Sequence, residues 1–488
     1  METSALEKYE AVIGLEVHAQ ILTESKMFCR CSTNFGDSPN SNTCAVCMGM
    51  PGALPVANEK AVEYAIKASL GLNFQINGVS QFSRKNYFYP DLTKGYQITQ
   101  YDKPLAEHGH LKIEMDGEIR KIGITRLHLE EDAGKSLHDE GDYTRVDYNR
   151  CGVPLIEIVS EPDIRSPLEA EMYLQKLRQM LVYLRVCDGN MEEGSLRCDG
   201  NLSIRPKGST ELFTKTEVKN LNSFRFIRKA MEYEFKRQVE LVESGGTVSQ
   251  ETRLWDQSAG KTRQMRSKEE AHDYRYFPEP DLPLLHVSNE WIEKVKSNMP
   301  ELPDEKIDRL ERQYSIPRYD ATILATERPL ADYFEETAGA SQDYKLASNW
   351  IMGEVLRVLK ENNQSISEFA IAPKGLAELI NLISAGTISG SAAKEVFAAM
   401  VEQPDKTAAQ IVEEKNLSQM SDESSLRQAA IQMIRDNPKP YGQYKEGKTQ
   451  TFGFFIGQLM KATKGRANPK VAQGILRELL DADELPEF

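Results

Sequence analysis

Four of the seven cysteines lie close together, in two pairs, near the start of the chain. Cys29 and Cys31 are separated by one residue, and Cys44 and Cys47 follow as a Cys-x-x-Cys pair. Two pairs of thiolates across a short loop can complete a tetrahedral shell of four sulfur ligands, which suits zinc. Such a closed shell leaves no position for a substrate, so we predict a structural zinc site over 29–47. The alternative is four ordinary reduced cysteines.

A second candidate site comes from strands whose alternate residues are polar. Between residues 13 and 21 the apolar side chains alternate with Gly14, Glu16, His18 and Gln20. Residues two apart on a strand share a face and lie roughly 6.5–7 Å apart, so Glu16 and His18 can reach one ion between them. Taken alone, this segment favours the solvated face of an ordinary strand.

The same alternation recurs in other strands, which favours a sheet that lines a polar cleft. Glu157 stands inside an apolar run, where the pKa of a carboxylate would rise unless a cation or a donor met it. The further polar residues of these strands are His128, Glu130, Glu131, Asp132, Asp147, Asn149, Arg150, Arg197, Asp199, Asn201, Ser203, Lys215, Glu217 and Lys219.

Several carboxylates with one histidine suit Mg²⁺ or Mn²⁺ held together with substrate phosphates. Basic side chains in the same strands would neutralise phosphate oxygens. These are Arg126, Arg150, Arg197, Lys215 and Lys219. The residues therefore indicate metal-assisted phosphoryl chemistry, and the alternative is a sheet that faces solvent.

Familiar phosphate-binding and amide-cleaving motifs are missing from the sequence. Gly134-Lys135-Ser136 ends like a P-loop, but position 129 is Leu where a P-loop requires Gly. No Gly-x-Gly-x-x-Gly, Gly-x-Ser-x-Gly or serine-rich amidase loop is present. If ATP is used, an unusual fold must hold its phosphates, and the sequence shows no means of releasing ammonia from an amide.

A sheet must position these candidates, because short alternating segments separated by turn residues dominate the first 294 residues. Helical periodicity interrupts them at 58–70, 167–184 and 223–241. The pattern predicts an α+β fold with a large, mostly antiparallel sheet in a catalytic domain at 1–294. Beyond a stiff Pro-rich stretch at 278–283, helical spacing predicts an all-helical domain at 295–410 and a small helical tail domain at 411–488.

Length and composition limit the class of protein. The chain has 488 residues, with 60 Lys and Arg against 74 Asp and Glu, a formal net charge of −14. No stretch approaches the roughly 18–20 apolar residues that span a membrane, and residues 1–10 lack a targeting signal. We therefore expect a cytoplasmic protein with no membrane partner. The net charge disfavours a nucleic-acid partner, although local patches matter more than totals.

One local patch has the opposite sign. Between residues 437 and 470 the chain carries seven basic residues and one acid, Glu446, which gives a local charge of 7 − 1 = +6. Such a patch can hold a phosphate backbone without reading sequence, and the alternative is a solvated helix face. The basic residues are Lys439, Lys445, Lys448, Lys461, Lys464, Arg466 and Lys470.

Long strings of the sequence resemble the GatB family, the B subunits of the aspartyl/glutamyl-tRNA amidotransferases. The resemblance extends over almost the whole chain, and its strings are highly specific. They are Val12-Ile-Gly-Leu-Glu-Val-His-Ala-Gln, Asn86-Tyr-Phe-Tyr-Pro-Asp-Leu, His128-Leu-Glu-Glu-Asp-Ala-Gly-Lys, Asp147-Tyr-Asn-Arg-Cys-Gly-Val-Pro-Leu-Ile-Glu-Ile-Val-Ser-Glu-Pro-Asp, Glu193-Gly-Ser-Leu-Arg-Cys-Asp-Gly-Asn, Lys215-Thr-Glu-Val-Lys-Asn-Leu-Asn-Ser and Asp273-Tyr-Arg-Tyr-Phe-Pro-Glu-Pro-Asp.

The resemblance implies a reaction that composition alone does not. Members of this family use ATP and Mg²⁺ to phosphorylate the side-chain carboxylate of Glu on tRNA(Gln), and often of Asp on tRNA(Asn). Ammonia, released from glutamine by an amidase partner and led through a channel, then attacks the acyl phosphate. A third, small partner bridges the other two, which makes a heterotrimer. The resemblance also implies a cradle-like catalytic domain and a tail domain that reads tRNA by shape.

Carried over to this sequence, the resemblance implies a set of magnesium ligands and catalytic residues at Glu16, His18, Glu131, Glu157 and Glu217. The alternation of strand residues leaves Glu130 and Glu131 both open, and the resemblance favours Glu131. It further implies the zinc ligands Cys29, Cys31, Cys44 and Cys47. Contacts to nucleotide or to the acyl end are expected from Arg150, Asp199, Asn201, Lys215 and Lys219, and contacts to tRNA from Tyr274, Arg275, Tyr276 and the basic residues of the tail.

Two hypotheses therefore compete for the function. In the first, the chain is the ATP-dependent activating subunit of a tRNA-dependent amidotransferase. In the second, it is a non-catalytic tRNA-binding scaffold of the same complex, which would not need the carboxylate and histidine set. A stand-alone metallohydrolase, active without partners or tRNA, is a weaker third hypothesis.

Overall fold

The structure of the protein is a computed structural model that describes residues 3–137, 143–267, 274–418, 423–463, 467–482 and 485. The chain divides into two compact units, Met1–Leu302 and Pro303–Phe488. Within the described residues, no helix has both the length and the apolar character that crossing a membrane requires.

A nine-stranded sheet forms the centre of the first unit. The strands of this unit are β1 (Tyr9–Gln20), β2 (Gln75–Ile76), β3 (Val79–Ser80), β4 (Phe82–Asn86), β5 (Tyr96–Gln100), β6 (Ala106–Met115), β7 (Glu118–Glu131), β8 (Lys135–Leu137), β9 (Arg145–Asp147), β10 (Pro154–Ser160), β11 (Leu196–Pro206), β12 (Thr216–Lys219), β13 (Glu251–Asp256), β14 (Lys261–Ser267), β15 (Phe277–Pro278) and β16 (Leu285–His286). The large sheet has the order β14-β13-β12-β11-β1-β10-β7-β6-β2. Its neighbours are antiparallel except β12 and β13, which are parallel.

Helices cover one face of this sheet. The helices of the first unit are α1 (Thr3–Leu6), α2 (Glu59–Gly71), α3 (Pro167–Tyr183), α4 (Phe224–Glu243) and α5 (Asn289–Ser297). Helix α2 packs against β7, α3 against β6 and α4 against β11. Ser166 and Ser223 cap α3 and α4, because each hydroxyl accepts a backbone N–H from the first turn.

Apolar and polar residues alternate along β1, and the helices cover the apolar face. Ile13, Leu15, Val17 and Ala19 are fully buried in the core beneath the helices. Their neighbours along the strand point to the opposite face. That opposite face carries the polar residues of the predicted cleft.

A second, three-stranded sheet of order β15-β4-β5 contacts the polar side of the large sheet at β7. The backbone N–H of Ile98 in β5 donates to Glu131, and the Thr99 hydroxyl donates to Glu130. Two short pairs, β16-β3 and β8-β9, complete the first unit.

The described part of the second unit is helical. Its elements are α6 (Pro303–Tyr314), α7 (Arg318–Leu324), α8 (Arg328–Ala340), α9 (Tyr344–Trp350), a π-helical turn (Ile351–Val355), α10 (Leu356–Asn362), a 3-10 turn (Ile366–Glu368), α11 (Pro373–Ser384), α12 (Gly390–Glu402), α13 (Ala408–Glu414), α14 (Glu423–Arg435), α15 (Pro438–Lys445), a second 3-10 turn (Thr449–Thr451), α16 (Phe452–Ala462) and α17 (Pro469–Asp481). One hydrophobic cluster gathers buried residues between 307 and 412, and another gathers those between 426 and 480.

The predicted α+β class is confirmed by a large, mostly antiparallel sheet followed by helices. The first predicted domain boundary, between 294 and 295, falls inside α5. This helix belongs to the first unit, since Val295 lies in the core of that unit and α5 packs against α2. The change between units therefore comes after Leu302.

Candidate metal and phosphoryl-transfer site

Strand register brings two histidines and a carboxylate of the polar face into one row. On four adjacent strands, His128 of β7 pairs with Glu157 of β10, Glu157 with His18 of β1, and His18 with Arg197 of β11. Residues that pair directly across a sheet present their side chains to the same face. Strand pairing thus brings together charged and imidazole side chains that are far apart in the sequence.

The neighbouring rows extend this polar surface. Glu16 pairs with Asp199, and Gly14 pairs with Asn201, which in turn pairs with Glu217 of β12. On β7, Glu130 stands two residues after His128 and therefore faces the same side.

Two groups of ligand-type side chains form around Glu157. The Nε2 atom of His18 lies 3.3 Å from Glu157 Oε2, 3.5 Å from Glu130 Oε1 and 3.8 Å from Glu16 Oε1. The Nε2 atom of His128 lies 3.5 Å from the same Glu157 Oε2 and 3.7 Å from Glu130 Oε2. Glu16, His18 and Glu157 thus make one potential metal centre, and His128, Glu130 and Glu157 make another.

The electrostatics of this group favour a bound cation. Burial disfavours a charged imidazole, but the hydrogen bond to Glu157 and the charges of Glu130 and Glu16 raise the pKa of His18 to about 9. Burial raises the pKa of Glu16, and the nearby charge of Glu157 raises it further. Three carboxylates around two imidazoles therefore concentrate negative charge where a metal ion would relieve it.

The pKa of Glu157 is lowered, although burial opposes this, because His128 and His18 face its carboxylate. The two imidazoles are therefore the partners without which the sequence predicted a raised pKa for a carboxylate in this apolar run. The described residues offer Nδ1 of the buried His128 no hydrogen-bond partner. The donor set of oxygen and imidazole nitrogen fits Mg²⁺ or Mn²⁺.

Glu131, which the sequence analysis placed in the ligand set, takes a different position from Glu130. Its carboxylate pairs with the Lys94 ammonium and accepts the backbone N–H of Ile98. Glu130 stands beside both histidines instead. The reason is strand parity, since Leu127 and Leu129 point into the core and His128 and Glu130 point to the opposite, polar face of the sheet.

Glu217 also lies away from the two groups. It is on the polar face, but its carboxylate accepts a 2.7 Å hydrogen bond from the Thr252 hydroxyl and pairs with Lys219 at 3.1 Å. Lys219 also donates to Asp199 at 2.6 Å, and these two acids raise its pKa against the effect of burial. Lys215 precedes β12 and is exposed.

Arg150 and Arg197 form ion pairs with the buried Asp132, which follows β7. Burial favours the neutral form of Asp132, yet Arg197 and Arg150 lower its pKa. Arg197 Nη2 lies 3.1 Å from Asp132, and Gln20 also donates to that carboxylate. Arg150 donates to the carbonyls of residues 133 and 134, so its guanidinium is held at the edge of the polar face.

The four predicted zinc cysteines converge. Their sulfur atoms all lie within 4.8 Å of one another. The hydrogen bond from Cys29 and the nearby Lys26 ammonium, 3.8 Å from Cys47 Sγ, lower the pKa of the Cys47 thiol although burial opposes this. A set of four thiols with one already favoured as thiolate fits a tetrahedral zinc ion.

The predicted tRNA contacts fall in two places. Tyr276 stacks on Tyr101 with ring centroids 4.0 Å apart, and Tyr274 packs edge-on against Tyr87 at 5.9 Å. Tyr274 and Tyr276 therefore pack against other residues of the first unit. The backbone carbonyl of Arg275 accepts from the side chain of Asn86.

Between residues 437 and 470, the basic side chains that the structure describes are all exposed. They are Lys439, Lys445, Lys448, Lys461 and Lys470. Lys464 and Arg466 lie outside the described residues.

No ligand role was expected for His128, and Glu130 was the alternative to Glu131. Both residues carried a usable signal, because His128-x-Glu130 repeats in reverse order the Glu16-x-His18 pattern on one strand face. What the sequence did not contain was the register that pairs β7 with β10 and β10 with β1.

Comparison with known proteins identifies the family. The model of the GatB/GatE catalytic domain matches residues 11–293, and the model of the GatB domain matches residues 332–480. The B subunit of the aspartyl/glutamyl-tRNA(Asn/Gln) amidotransferase from Thermodesulfovibrio yellowstonii is 57% identical over 473 residues, which is 97% of this chain and 99% of that protein. The protein of the same name from Syntrophotalea carbinolica is 53% identical over 98% of this chain and 99% of its own. These matches confirm the resemblance, and the chain belongs to the GatB family.

Proposed function

We propose that the chain is the activating subunit of a tRNA-dependent amidotransferase. It would use ATP to phosphorylate the side-chain carboxylate of Glu-tRNA(Gln), Asp-tRNA(Asn) or both, and ammonia would then displace the phosphate to form the amide. The observation that carries this proposal is the cluster in which Glu157 Oε2 lies within 3.5 Å of two histidine nitrogens. A scaffold would have no use for such a cluster.

Two groups of residues would hold the divalent ions. Glu16, His18 and Glu157 form the first, and His128 and Glu130 form the second with the same Glu157. Mg²⁺ or Mn²⁺ bound there would neutralise the charge of phosphate oxygens and polarise the transferred group.

The basic residues of the cleft would orient the anionic substrates. Arg150 and Arg197 flank Asp132, and Lys219 projects from β12 between Asp199 and Glu217. In the proposed reaction these cations bind phosphate oxygens of ATP, while Asn201 and Lys215 contact the nucleotide or the acyl end. Phosphoryl transfer needs little covalent chemistry from the protein, so positioning and charge stabilisation supply most of its rate.

The cysteine cluster would hold a structural zinc ion. Its loop also contacts the segment after β9, because the side chain of Asn149 accepts the N–H of Asn42 and donates to the carbonyl of Ser38. A bound zinc would thereby fix the segment that carries the neighbouring Arg150.

The family implies partners that this chain does not itself supply. The proposed heterotrimer contains an amidase and a small bridging protein in the cytoplasm, and the exposed lysines of the tail bind the tRNA backbone. The absence of a recognisable amidase motif in the sequence supports a separate source of ammonia.

The test uses the reconstituted heterotrimer with ATP and misacylated Glu-tRNA(Gln) or Asp-tRNA(Asn), in the absence of an ammonia donor. ADP formation that depends on the aminoacyl-tRNA measures activation. Glu157→Gln should lower this rate by roughly 10²-fold or more, whereas Glu114→Gln, at an exposed position of β6, should leave it unchanged. Activity of the Glu157 variant equal to wild type would mean that the chain is a scaffold.

A further inference from the structure

Lys85 is placed by strand pairing toward the carboxylate cluster. In the β4–β5 ladder Lys85 pairs with Gln97, and Ser83 pairs with Thr99. Paired residues share a face, and on this face Thr99 donates to Glu130 while Gln97 donates to the backbone of the adjoining residue 131. The side chain of Lys85 therefore leaves β4 on the face that is turned toward Glu130.

Two aromatic rings lie next to the Lys85 ammonium. Its Nζ lies 4.9 Å from the ring centroid of Tyr274 and 5.9 Å from that of Tyr87. These two rings meet edge to face, and Tyr276 stands next to Tyr274 at 6.1 Å. Ring faces attract an ammonium ion, but they give its N–H donors no lone pair to bind as a carboxylate oxygen would.

Other cations of the cleft already have carboxylate partners. Lys94 pairs with Glu131, Arg197 with Asp132, and Lys219 with Asp199. Lys85 differs from them, since the described residues form neither a salt bridge nor a hydrogen bond with its ammonium. The cluster nevertheless acts on it from a distance: burial would lower the pKa of Lys85, but the charges of Glu130 and Glu157 raise it.

A half-buried ammonium that stays protonated and unpaired, aimed at a site for divalent cations, needs an anion between itself and those cations. A lysine that served only to neutralise Glu130 would contact its carboxylate, as Lys94 contacts Glu131. The arrangement instead suits an anionic group that would be held from one side by the ammonium and from the other by the candidate metal centres.

We propose that Lys85 is a catalytic residue that donates a hydrogen bond to a nonbridging oxygen of the transferred phosphoryl group. This inference rests on the proposed function. In the step concerned, the acceptor carboxylate oxygen forms a bond to the γ-phosphorus of ATP, the bond from that phosphorus to the β–γ bridging oxygen breaks, and ADP leaves with the electron pair. Lys85 keeps its proton throughout and stabilises charge on the phosphoryl oxygens.

The experiment measures ADP formation by the reconstituted heterotrimer with saturating Glu-tRNA or Asp-tRNA and varied ATP. Lys85→Gln should lower kcat by roughly 10²–10³-fold, with the KM for ATP changed much less. Lys85→Ala should regain part of its kcat when methylammonium or ethylammonium is added. Lys112→Gln, at an exposed position of β6, is the matched control and should behave as wild type.

Several results would overturn the inference. One is a normal kcat in Lys85→Gln, and another is a change confined to KM, which would indicate ground-state binding only. Loss of thermal stability and Mn²⁺ binding in both variants, without rescue by amines, would indicate a structural role. If wild type itself forms no ADP in response to aminoacyl-tRNA, the proposed function fails first, and the wild-type assay reveals this separately.

Discussion

Glu157 is the residue on which both candidate metal centres depend. Its single oxygen Oε2 lies within 3.5 Å of Nε2 in His18 and in His128. Glu157 would therefore serve both centres, and two divalent ions held there would supply the charge stabilisation that phosphoryl transfer needs. At the scale of single residues, the two centres can be separated by substitution.

His128→Gln should remove one metal centre and leave the other. The variant loses the imidazole of the second group, while Glu16, His18 and Glu157 keep the first group intact. Titration with Mn²⁺, followed by electron paramagnetic resonance, should therefore show tight binding falling from about two ions to one. Glu157→Gln should weaken both sites.

The control for this titration is His286→Gln, since that histidine is exposed on β16, outside both groups. Two tight sites in the His128 variant would contradict the assignment of the second centre.

The sequence predicted the strand face of some candidate ligands more readily than that of others, for a physical reason. Alternation within β1 was sufficient for Glu16 and His18, because one run of residues fixes which side chains share a face. The competition between Glu130 and Glu131 could not be decided from neighbouring acids alone. Leu127 and Leu129 in the core decide it, and their burial depends on how β7 packs against helix α2.

At the scale of elements, the starts of the helices follow from capping residues next to them in the sequence. The arrangement of the polar face depends on pairing between strands that are far apart in the sequence. Asn58, Ser166 and Ser223 cap α2, α3 and α4, so the predicted helices at 58–70, 167–184 and 223–241 begin within a residue of the observed ones. The three-stranded sheet was not predicted. It pairs β15 at residues 277–278 with β4 at residues 82–86, although neither segment carries a local mark of the other.

The zinc loop allows a prediction at this scale. Residues 29–47 form no helix, and a closed thiolate shell would replace the hydrophobic core that the loop lacks. Cys44→Ser, or chelation of the wild-type protein, should make the loop sensitive to limited proteolysis, with cleavage between residues 29 and 50. Ser41→Ala, an exposed neighbour, should stay resistant, and added Zn²⁺ should restore resistance to chelated wild type. Equal resistance of all forms would exclude a structural metal.

An ion cluster joins α6 to α8 and allows a prediction about pH. Arg309 and Lys306 on α6 meet Glu335 on α8 and, against partial burial, lower the pKa of its carboxyl. Because the folded pKa lies below the unfolded one, the contribution is complete above about pH 4.5 and is lost as the pH falls through the folded value.

Glu335→Gln should therefore lower the free energy of unfolding by about 0.5–1.5 kcal/mol at pH 7, since partial exposure to solvent screens the charges. The difference from wild type should shrink as the pH falls below about 4.5. Denaturant unfolding monitored by circular dichroism measures both quantities. Glu336→Gln, on the same helix but exposed, is the control. A difference that does not depend on pH would show that the pair does not act through charge.

At the scale of the whole molecule, the net charge of −14 conceals regions of opposite character. Acids gather in the cleft of the first unit around the two histidines. The segment from 437 to 470, with its charge of +6, lies in the second unit, where α14, α16 and α17 share a hydrophobic cluster of their own. Its exposed lysines can therefore be changed without disturbing the buried residues beneath them.

Replacing three of these lysines should weaken tRNA binding in proportion to the charge removed. Lys448, Lys461 and Lys470 are exposed, and removing one phosphate interaction lowers the slope of log affinity against log salt by roughly 0.7–0.9. The triple glutamine variant should thus show a slope reduced by roughly 2–3, with the largest loss of affinity at low salt. Filter binding of tRNA to the reconstituted heterotrimer at several salt concentrations measures both.

The control variant removes the same charge elsewhere, at Lys229, Lys360 and Lys374, which are also exposed. It should keep the wild-type slope, because phosphate interactions act locally while long-range attraction is screened within about 8–10 Å in salt. If both triple variants lost slope equally, tRNA binding would depend on total charge and the basic segment would have no special role. A reduced slope in the tail variant alone, with normal ADP formation at saturating tRNA, would assign this segment to holding tRNA and leave the chemistry to the cleft.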